Sequence, residues 1–242
     1  MGKEQPMIWQ EYGRTLKELL GLEGSPIAVT YSLDPPAKAE QYKVSVCKAL
    51  LDVRDGKIIN LTKETSACPG GTWHLGLGPR PEGAAGEKLK RFLVNGEKLF
   101  CSIAVFNRML AQSVQPPLGL ADNVVISPLK LAELEPDVVL FIVNPEQACR
   151  LLQLAAYWDA YNPRTQMVGA GCYMAITYPL VTGELNVTFL DWTARRTNPY
   201  KAHELIVSVP YHRLKCIVEA IDRCSAGTAT LHIPPEFRAI GE

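Results

Sequence analysis

Asp137-Val138-Val139-Leu140-Phe141-Ile142-Val143 is the stretch of sequence that decides the fold. It is apolar after its first residue and rich in β-branched side chains, which is typical of a strand buried on both faces. Asn144-Pro145-Glu146-Gln147 follows at once, and an Asn cap before Pro at the first helical position predicts a helix that runs to about residue 160. A buried strand that leads directly into a helix indicates a layered arrangement of strands and helices.

The flanking segments continue this alternation. Hydrophobic spacing predicts helices over 9–22, about 43–53 and 211–224, and strands over 26–31, 57–62, 185–192 and 205–209. Residues 79–86 are rich in Gly and Pro and predict a loop. Several connections are too short for parallel crossovers. We therefore expect an α/β or α+β fold, with a mixed sheet and flanking helices, in a single domain over residues 1–242.

Composition excludes several classes of protein. The chain of 242 residues carries 25 basic and 25 acidic side chains, so it has no net charge that would attract nucleic acid or an anionic membrane. No apolar run is long enough to cross a bilayer, and the N-terminus has no signal core. We expect a cytoplasmic protein without nucleic-acid or membrane partners, for which a small-molecule ligand and a homo-oligomeric state are both open.

Seven cysteines stand at 47, 68, 101, 149, 172, 216 and 224. Their number is odd and no two are spaced as C-x-x-C, so neither a disulfide framework nor a zinc ribbon is indicated. Free cysteine is commonly a small core residue, and we expect Cys101 and Cys216 to be packing residues. Cys224, just before Gly227, is expected at the exposed end of a helix.

Cys68 is different because of its surroundings. It lies in Ser66-Ala67-Cys68-Pro69-Gly70-Gly71-Thr72-Trp73-His74-Leu75-Gly76-Leu77-Gly78. Glycine lets a ligand approach the backbone amides, and a thiol is a soft nucleophile or metal ligand. The stretch therefore predicts a functional site on a glycine-rich turn.

Cys172 lies in Ala170-Gly171-Cys172, a similar stretch in the second half of the chain. In each half a strand leads through a helix that contains a cysteine, Cys47 or Cys149, to a second cysteine, Cys68 or Cys172. This order predicts an internal pseudo-twofold repeat of two strand-helix-Cys units, with halves of about 24–118 and 119–225. Such an axis would bring Cys68 and Cys172 together, and sites commonly lie between such halves.

These residues carry a resemblance to a known family. Pro26-Ile27-Ala28-Val29, Cys47-Lys48-Ala49-Leu50, Cys68-Pro69-Gly70-Gly71 with Leu75-Gly76-Leu77, and later Cys172 with Arg195-Arg196, resemble the "domain of unknown function 169" family of archaeal and anaerobic bacterial proteins. The resemblance covers roughly residues 20–220. It implies recurring cysteines at positions 47, 68 and 172 but no settled activity. Members often have a further cysteine shortly before the basic stretch, where this chain has Leu190-Asp191-Trp192.

The leading functional hypothesis is a cysteine-centred metal or iron–sulfur binding protein of anaerobic prokaryotic metabolism. Thiolates suit iron–sulfur clusters and other thiophilic metals, and ligands that are far apart in sequence can converge in a fold. Cys47, Cys68 and Cys172 are the candidate ligands. His74 is a candidate for the remaining coordination position.

Two alternatives remain open at this stage. A small-molecule or anionic cofactor could bind the backbone of Gly70 and Gly71, with Trp73 lining the site and Arg195 or Arg196 as a charged clamp. Alternatively, Cys68 could be a reactive thiol of a redox enzyme with His74 as its base. No acidic partner for such a base can be assigned from the sequence, so whether the protein is an enzyme is left open.

Overall fold

A computed structural model describes residues 6–167 and 169–230 of the chain. Its centre is one open sheet of six strands. The strands are β1 (Ile27–Ser32), β2 (Ile59–Leu61), β3 (Asn123–Pro128), β4 (Val138–Val143), β5 (Asn186–Thr188) and β6 (Leu205–Pro210). Their order is β2-β3-β1-β4-β6-β5, and every neighbouring pair is antiparallel. The expected mixture of helices and strands is thus confirmed, with an antiparallel sheet.

Helices cover both faces of this sheet. Those in the described residues are α1 (Ile8–Leu20), α2 (Val46–Arg54), α3 (Pro69–His74), α4 (Gly83–Arg91), α5 (Ile103–Ala111), α6 (Pro145–Ala156), α7 (Tyr178–Thr182), α8 (Trp192–Thr197), α9 (Tyr211–Glu219) and α10 (Ser225–Thr228). A π-helical turn, Tyr173–Thr177, leads into α7, so residues 171–182 form one continuous helix. A second π-helical turn, Phe92–Gly96, follows α4, and a short 3-10 turn, Leu129–Leu131, follows β3.

Local signals in the sequence explain where α6 begins. The Asn144 side chain accepts a hydrogen bond from the Gln147 backbone amide at 2.9 Å, and the Gln147 side chain accepts one from the Asn144 amide at 2.9 Å. Pro145 takes the first helical position, where a backbone N–H would have no partner within the helix. This reciprocal cap confirms the start that the sequence predicts for the helix.

Successive side chains of β1 point to opposite faces of the sheet, and a separate hydrophobic core covers each face. Ala28 faces the core that lies under α1, α6 and α9, whereas Ile27 and Val29 face the core that contains residues of α2 and of the helix 171–182. This assignment follows from the two-residue period of a strand. The second core holds Cys172, with Cys47 packed against it, so the predicted site lies on that face of the sheet.

The sheet is symmetric about the pair formed by Ala28 of β1 and Val139 of β4. On each side of this pair the order of strands is the same, since β3 and β2 follow β1 as β6 and β5 follow β4. The helices that follow β1 and β4 break this symmetry, because α2 packs on one face and α6 on the other. The predicted internal repeat stays a prediction.

The symmetry of the sheet also changes which residue corresponds to Cys68. Cys68 caps α3, the short helix after edge strand β2, and Asp191 caps α8, the short helix after edge strand β5. Cys172 precedes β5 instead. The correspondence of Cys68 with Cys172 that the sequence suggests is therefore not the one in the sheet.

Some local expectations are wrong. Cys101 and Cys216 are exposed and Cys224 is buried, the reverse of what the sequence suggests, because Cys224 packs into the core beneath α6 and α9. The segment expected to be a loop over 79–86 already contains the first turn of α4. The strand expected over 185–192 is only Asn186–Thr188, since α8 begins at Trp192.

Candidate functional site: a group of three cysteines beside Asp191

Three helix starts bring the predicted cysteines together. Cys47 lies in the first turn of α2, Cys68 immediately precedes α3, and Cys172 lies in the first turn of the helix 171–182. Burial raises the pKa of the Cys172 thiol far above its ordinary value, and nearby charges on Cys47 and on Cys68 raise it further. Three thiols that are distant in sequence therefore lie close enough to affect one another's ionisation.

Asp191 is a fourth member of this group, and the sequence did not single it out as a site residue. Its Oδ1 accepts a hydrogen bond from the backbone amide of Ala194 at 2.7 Å and caps α8, while its Oδ2 accepts one from the Gly171 amide at 2.8 Å. Its charge raises the pKa of both Cys47 and Cys172. An Asp directly before a short helical stretch is a recognisable cap, and this signal could have pointed to it.

Gly171 shows how closely these groups approach one another. A Cβ atom at this position would lie 3.1 Å from Asp191 Oδ2 and 3.5 Å from Cys47 Sγ. A larger residue would therefore press on both the carboxylate and the thiol. Gly171 lets the helix that carries Cys172 come against α2 and α8.

The three thiols differ in their access to solvent. Cys68 is exposed, Cys47 is partly buried, and only 7% of Cys172 is exposed. Burial in an apolar setting, followed by the charges of Asp191 and Cys68, raises the pKa of Cys47 well above its ordinary value. The group is therefore open to solvent on the Cys68 side and closed on the Cys172 side.

The glycine-rich turn expected after Cys68 is a helix instead. Pro69–His74 is α3, and the Cys68 carbonyl accepts a hydrogen bond from the Thr72 amide at 2.9 Å. A Cβ on Gly71 would lie 3.0 Å from Val46 Cγ2, so this glycine lets α3 pack on the first turn of α2. The positive φ that a glycine turn requires occurs later, at Gly76, where φ is +73°.

Trp73 and His74 form an aromatic group at the far end of α3. Their rings stack with centroids 4.2 Å apart, and the His74 ring lies 5.5 Å from the ring of Tyr173. Burial and, to a smaller extent, the Arg80 charge lower the pKa of His74 to about 4. The ring partners of His74 in the described residues are aromatic or amide groups, so its role as a metal ligand stays a prediction without support from these contacts.

Arg195 holds the chain after α8 in place. Its guanidinium donates hydrogen bonds to four backbone carbonyls at 2.7–3.2 Å, those of Phe189, Lys201, Ala202 and Glu204. Arg196 lies over the exposed Trp192 ring, 5.7 Å from its centroid. The carbonyls account for Arg195 structurally, and a role for either arginine as a ligand clamp stays a prediction.

The described residues contain no group of three or more His, Cys, Asp or Glu side chains that could hold a single metal ion. This finding gives no support to a metal site at the three thiols. Away from them, a polar cavity of about 180 Å³ lies beside the ion pair between Arg54 and Glu204. Its lining includes none of the residues that the sequence predicts for cofactor binding.

The model of the family "domain of unknown function 169", described as Uncharacterised ArCR, matches residues 15–220, and the chain belongs to this family. No curated protein and no solved structure matches the chain. Among the described helices, none combines the length and the apolar character needed to cross a membrane.

Proposed function

We propose that the protein binds an iron–sulfur cluster through Cys47, Cys68 and Cys172, in the anaerobic metabolism that the family resemblance implies. The observation that supports this is the convergence of three thiols and the Asp191 carboxylate from four separate helix starts.

Electrostatics favour a bound cationic centre at this group. With the metal absent, burial keeps the Cys47 and Cys172 thiols protonated, and a buried neutral thiol is inert. Cys47, Cys68 and Cys172 would lose their thiol protons on binding a metal centre, whose positive charge would offset the repulsion between thiolates and carboxylate. Without such a centre, the ionised forms would be costly to hold side by side in the fold.

A cluster and a single metal ion place different demands on their thiolate ligands. One zinc ion needs all its ligands around one point, with Zn–S bonds of about 2.3 Å. In a [4Fe–4S] cluster each cysteine ligand binds a different iron atom, so its thiolates stand farther apart than around one ion. The three thiols come from separate helix starts, so each could supply a ligand to a different iron atom.

The test is metal analysis of protein purified without oxygen. Iron and acid-labile sulfide per chain would be measured after anaerobic expression and reconstitution, together with the absorption and electron paramagnetic resonance spectra. Cys47→Ser, Cys68→Ser and Cys172→Ser should each lose most of the iron and sulfide. Cys216→Ser is the matched control, because Cys216 is an exposed cysteine on α9, which packs on the other face of the sheet.

Two results would contradict this proposal. One is a colourless protein that holds neither iron nor sulfide after reconstitution. The other is a Cys47/Cys68/Cys172 triple serine variant that holds as much iron and sulfide as Cys216→Ser, which would place the metal elsewhere on the chain.

A thiol–disulfide exchange site is a second candidate, favoured by the exposure of Cys68 beside two less accessible thiols. Here the Cys68 thiolate would attack a disulfide and a neighbouring thiol would resolve the mixed disulfide. Alkylation followed by mass spectrometry separates the two candidates. A cluster protects Cys68 from alkylation until iron is removed, whereas an exchange site leaves reduced Cys68 reactive and yields a Cys68 disulfide under mild oxidation.

A further inference from the structure

The polar cavity of about 180 Å³ lies at the opposite end of α2 from Cys47. Its lining comes from the loop after α1, the last residue of α2, the end of β4, the start of α6 and the loop before β6. Arg54 ends α2 and Cys47 lies in its first turn, so the two stand about 10 Å apart along the helix axis. Because an engineered cavity of about 150 Å³ holds benzene, this space suits a ligand of roughly six to ten non-hydrogen atoms.

An ion pair that is largely shut off from solvent forms part of the cavity wall. Arg54 Nη1 donates to Glu204 Oε1 at 3.0 Å, and the two side chains are only 17% and 8% exposed. A Cβ at Gly24 would overlap Arg54 Cγ, so this glycine lets the Arg54 side chain lie against the loop after α1. Apolar residues of similar size are often as stable as a buried ion pair, so stability alone does not account for this one.

Both partners of the ion pair keep hydrogen-bonding capacity that the described residues do not use. A guanidinium has five N–H donors, and the described residues accept from Arg54 at Nη1 and, through Asp55 at 3.4 Å, at Nε. A carboxylate accepts about four hydrogen bonds. Glu204 accepts one at each oxygen, from Arg54 and from the Lys201 amide at 2.7 Å. The Nη2 donors of Arg54 and further lone pairs of Glu204 are therefore available to a ligand.

The charges at the cavity favour a ligand that carries both signs. Each lining carboxylate already has a basic partner, since Glu204 pairs with Arg54 and Glu23 accepts hydrogen bonds from Lys201 Nζ at the exposed rim. A plain anion at Arg54 would be repelled by Glu204, and a plain cation at Glu204 would be repelled by Arg54. A molecule with a carboxylate and an ammonium group places each charge beside its opposite.

We infer that this cavity binds a small zwitterion of the α-amino acid type, with its carboxylate on Arg54 and its ammonium group on Glu204. An α-amino acid carries the two charges on adjacent carbon atoms, which matches two partner side chains in direct contact. The planar guanidinium fork also fits the geometry of a carboxylate. The inference does not depend on the proposed function, because neither Cys47, Cys68 nor Cys172 lines the cavity.

Calorimetric titration of the dialysed wild-type protein tests the ligand class. The probes are the protein amino acids of up to about ten non-hydrogen atoms. Each one that binds is then compared with the same molecule lacking its amine and lacking its α-carboxylate, as alanine is compared with propionate and ethylamine. We expect at least one amino acid to bind at millimolar concentration or below. Removing either charge should weaken its binding about tenfold or more, because a charge-assisted hydrogen bond is lost.

Variants of the ion pair test the location of the site. Arg54→Lys keeps the charge beside Glu204 but lacks the guanidinium fork, so the affinity should fall about tenfold or more. Arg213→Lys is the matched control, since Arg213 is 21% exposed and pairs with Asp159 at 3.0 Å outside the cavity lining. Replacing Arg54→Met and Glu204→Met together removes both charges in favour of apolar side chains, which a fold commonly tolerates, and should abolish binding.

Three results would overturn the inference. The first is that no amino acid of the panel binds the wild type at millimolar concentration. The second is equal affinity for an amino acid and its deaminated analogue, which would make the cavity a plain anion site. The third is wild-type affinity in Arg54→Lys or, if that variant does not fold, in the double methionine variant. Loss of binding in the Arg54 variants alone supports the inference whether or not the wild type holds iron, so its failure and that of the proposed function are distinguishable.

Discussion

Replacing Gly71 by alanine tests whether close packing of α3 on α2 holds Cys68 beside Cys47. A Cβ at Gly71 would lie 3.0 Å from Val46 Cγ2, whereas a Cβ at the neighbouring Gly70 would lie 3.7 Å from Cys68 Sγ. The first distance is too short for two carbon atoms in ordinary contact, and the second is not. Gly70→Ala is therefore a matched control one residue away in the same helix.

Two opposing effects set the expected difference in the free energy of unfolding between the two alanine variants. Alanine is better than glycine in a helix by up to about 1 kcal/mol, and this gain applies to both variants. Forcing a methyl group into a packed site costs roughly 1–3 kcal/mol. Val46 is only 2% exposed and is β-branched within a helix, so its side chain has little freedom to move away. Gly71→Ala should therefore be less stable than Gly70→Ala by about 1–3 kcal/mol.

The assay is denaturant unfolding of metal-free protein, followed by iron analysis of the reconstituted variants. Gly70→Ala should equal or exceed the wild type in the free energy of unfolding, and Gly71→Ala should fall below Gly70→Ala without a change in the denaturant slope. Because Val46 precedes Cys47, pushing the helices apart should also lower the iron content of Gly71→Ala.

A double-mutant cycle gives the result that would refute this reasoning. Val46→Ala alone should cost about 2 kcal/mol for its two lost methyl groups. Combined with Gly71→Ala, it frees the space that the new Cβ needs, so the double variant should be more stable than the sum by about 0.5–3 kcal/mol. Strict additivity, or equal stability of Gly70→Ala and Gly71→Ala, would show that the contact does not constrain the helices.

Two further predictions concern residues around the site. Since burial lowers the pKa of His74 from 6.5 to about 4, the unfolded chain binds the extra proton first, and stability should decrease as pH falls from about 6.5 towards 4. The shift is worth about 3 kcal/mol, and His74→Gln should flatten this part of the pH profile; an unchanged profile would contradict the assignment. Arg195→Lys should lower the free energy of unfolding by about 2 kcal/mol, because a lysine cannot reach four carbonyls at once, and proteolysis should increase near residues 199–204. Wild-type stability and protease resistance in Arg195→Lys would argue against this bracing role.

Local signals account for the parts of the fold that sequence analysis predicted well. The buried strand, expected over 137–143, is Val138–Val143, and the cap at Asn144 begins α6 as expected. The strand and the cap both depend on residues that are neighbours in the chain, so the sequence alone is enough to predict them. The helix at Pro69–His74 could not be predicted in this way, because two glycines are poor helix formers and their helix depends on packing against Val46.

The candidate site likewise contains some residues that the sequence predicted and others that only the fold reveals. Cys47, Cys68 and Cys172 were proposed as one set from the sequence, and the structure brings them together. Asp191 was not proposed, since a helix cap is an ordinary feature of a sequence and only the assembled fold brings its carboxylate to Gly171 and the cysteines. Arg195 was expected at a ligand, but the carbonyls it binds come from a loop whose path only the fold defines.

By itself, the sequence determined the family and the mixture of helices and strands, and it singled out the cysteines of the candidate site. The tertiary structure alone decided the antiparallel order β2-β3-β1-β4-β6-β5 and the closeness of Asp191 to Gly171. The physical reason is the sequence separation over which each kind of interaction acts. Caps and hydrophobic periodicity act within a few residues, whereas strand pairing, burial and electrostatic contact join segments more than a hundred residues apart, as Cys68 and Cys172 are.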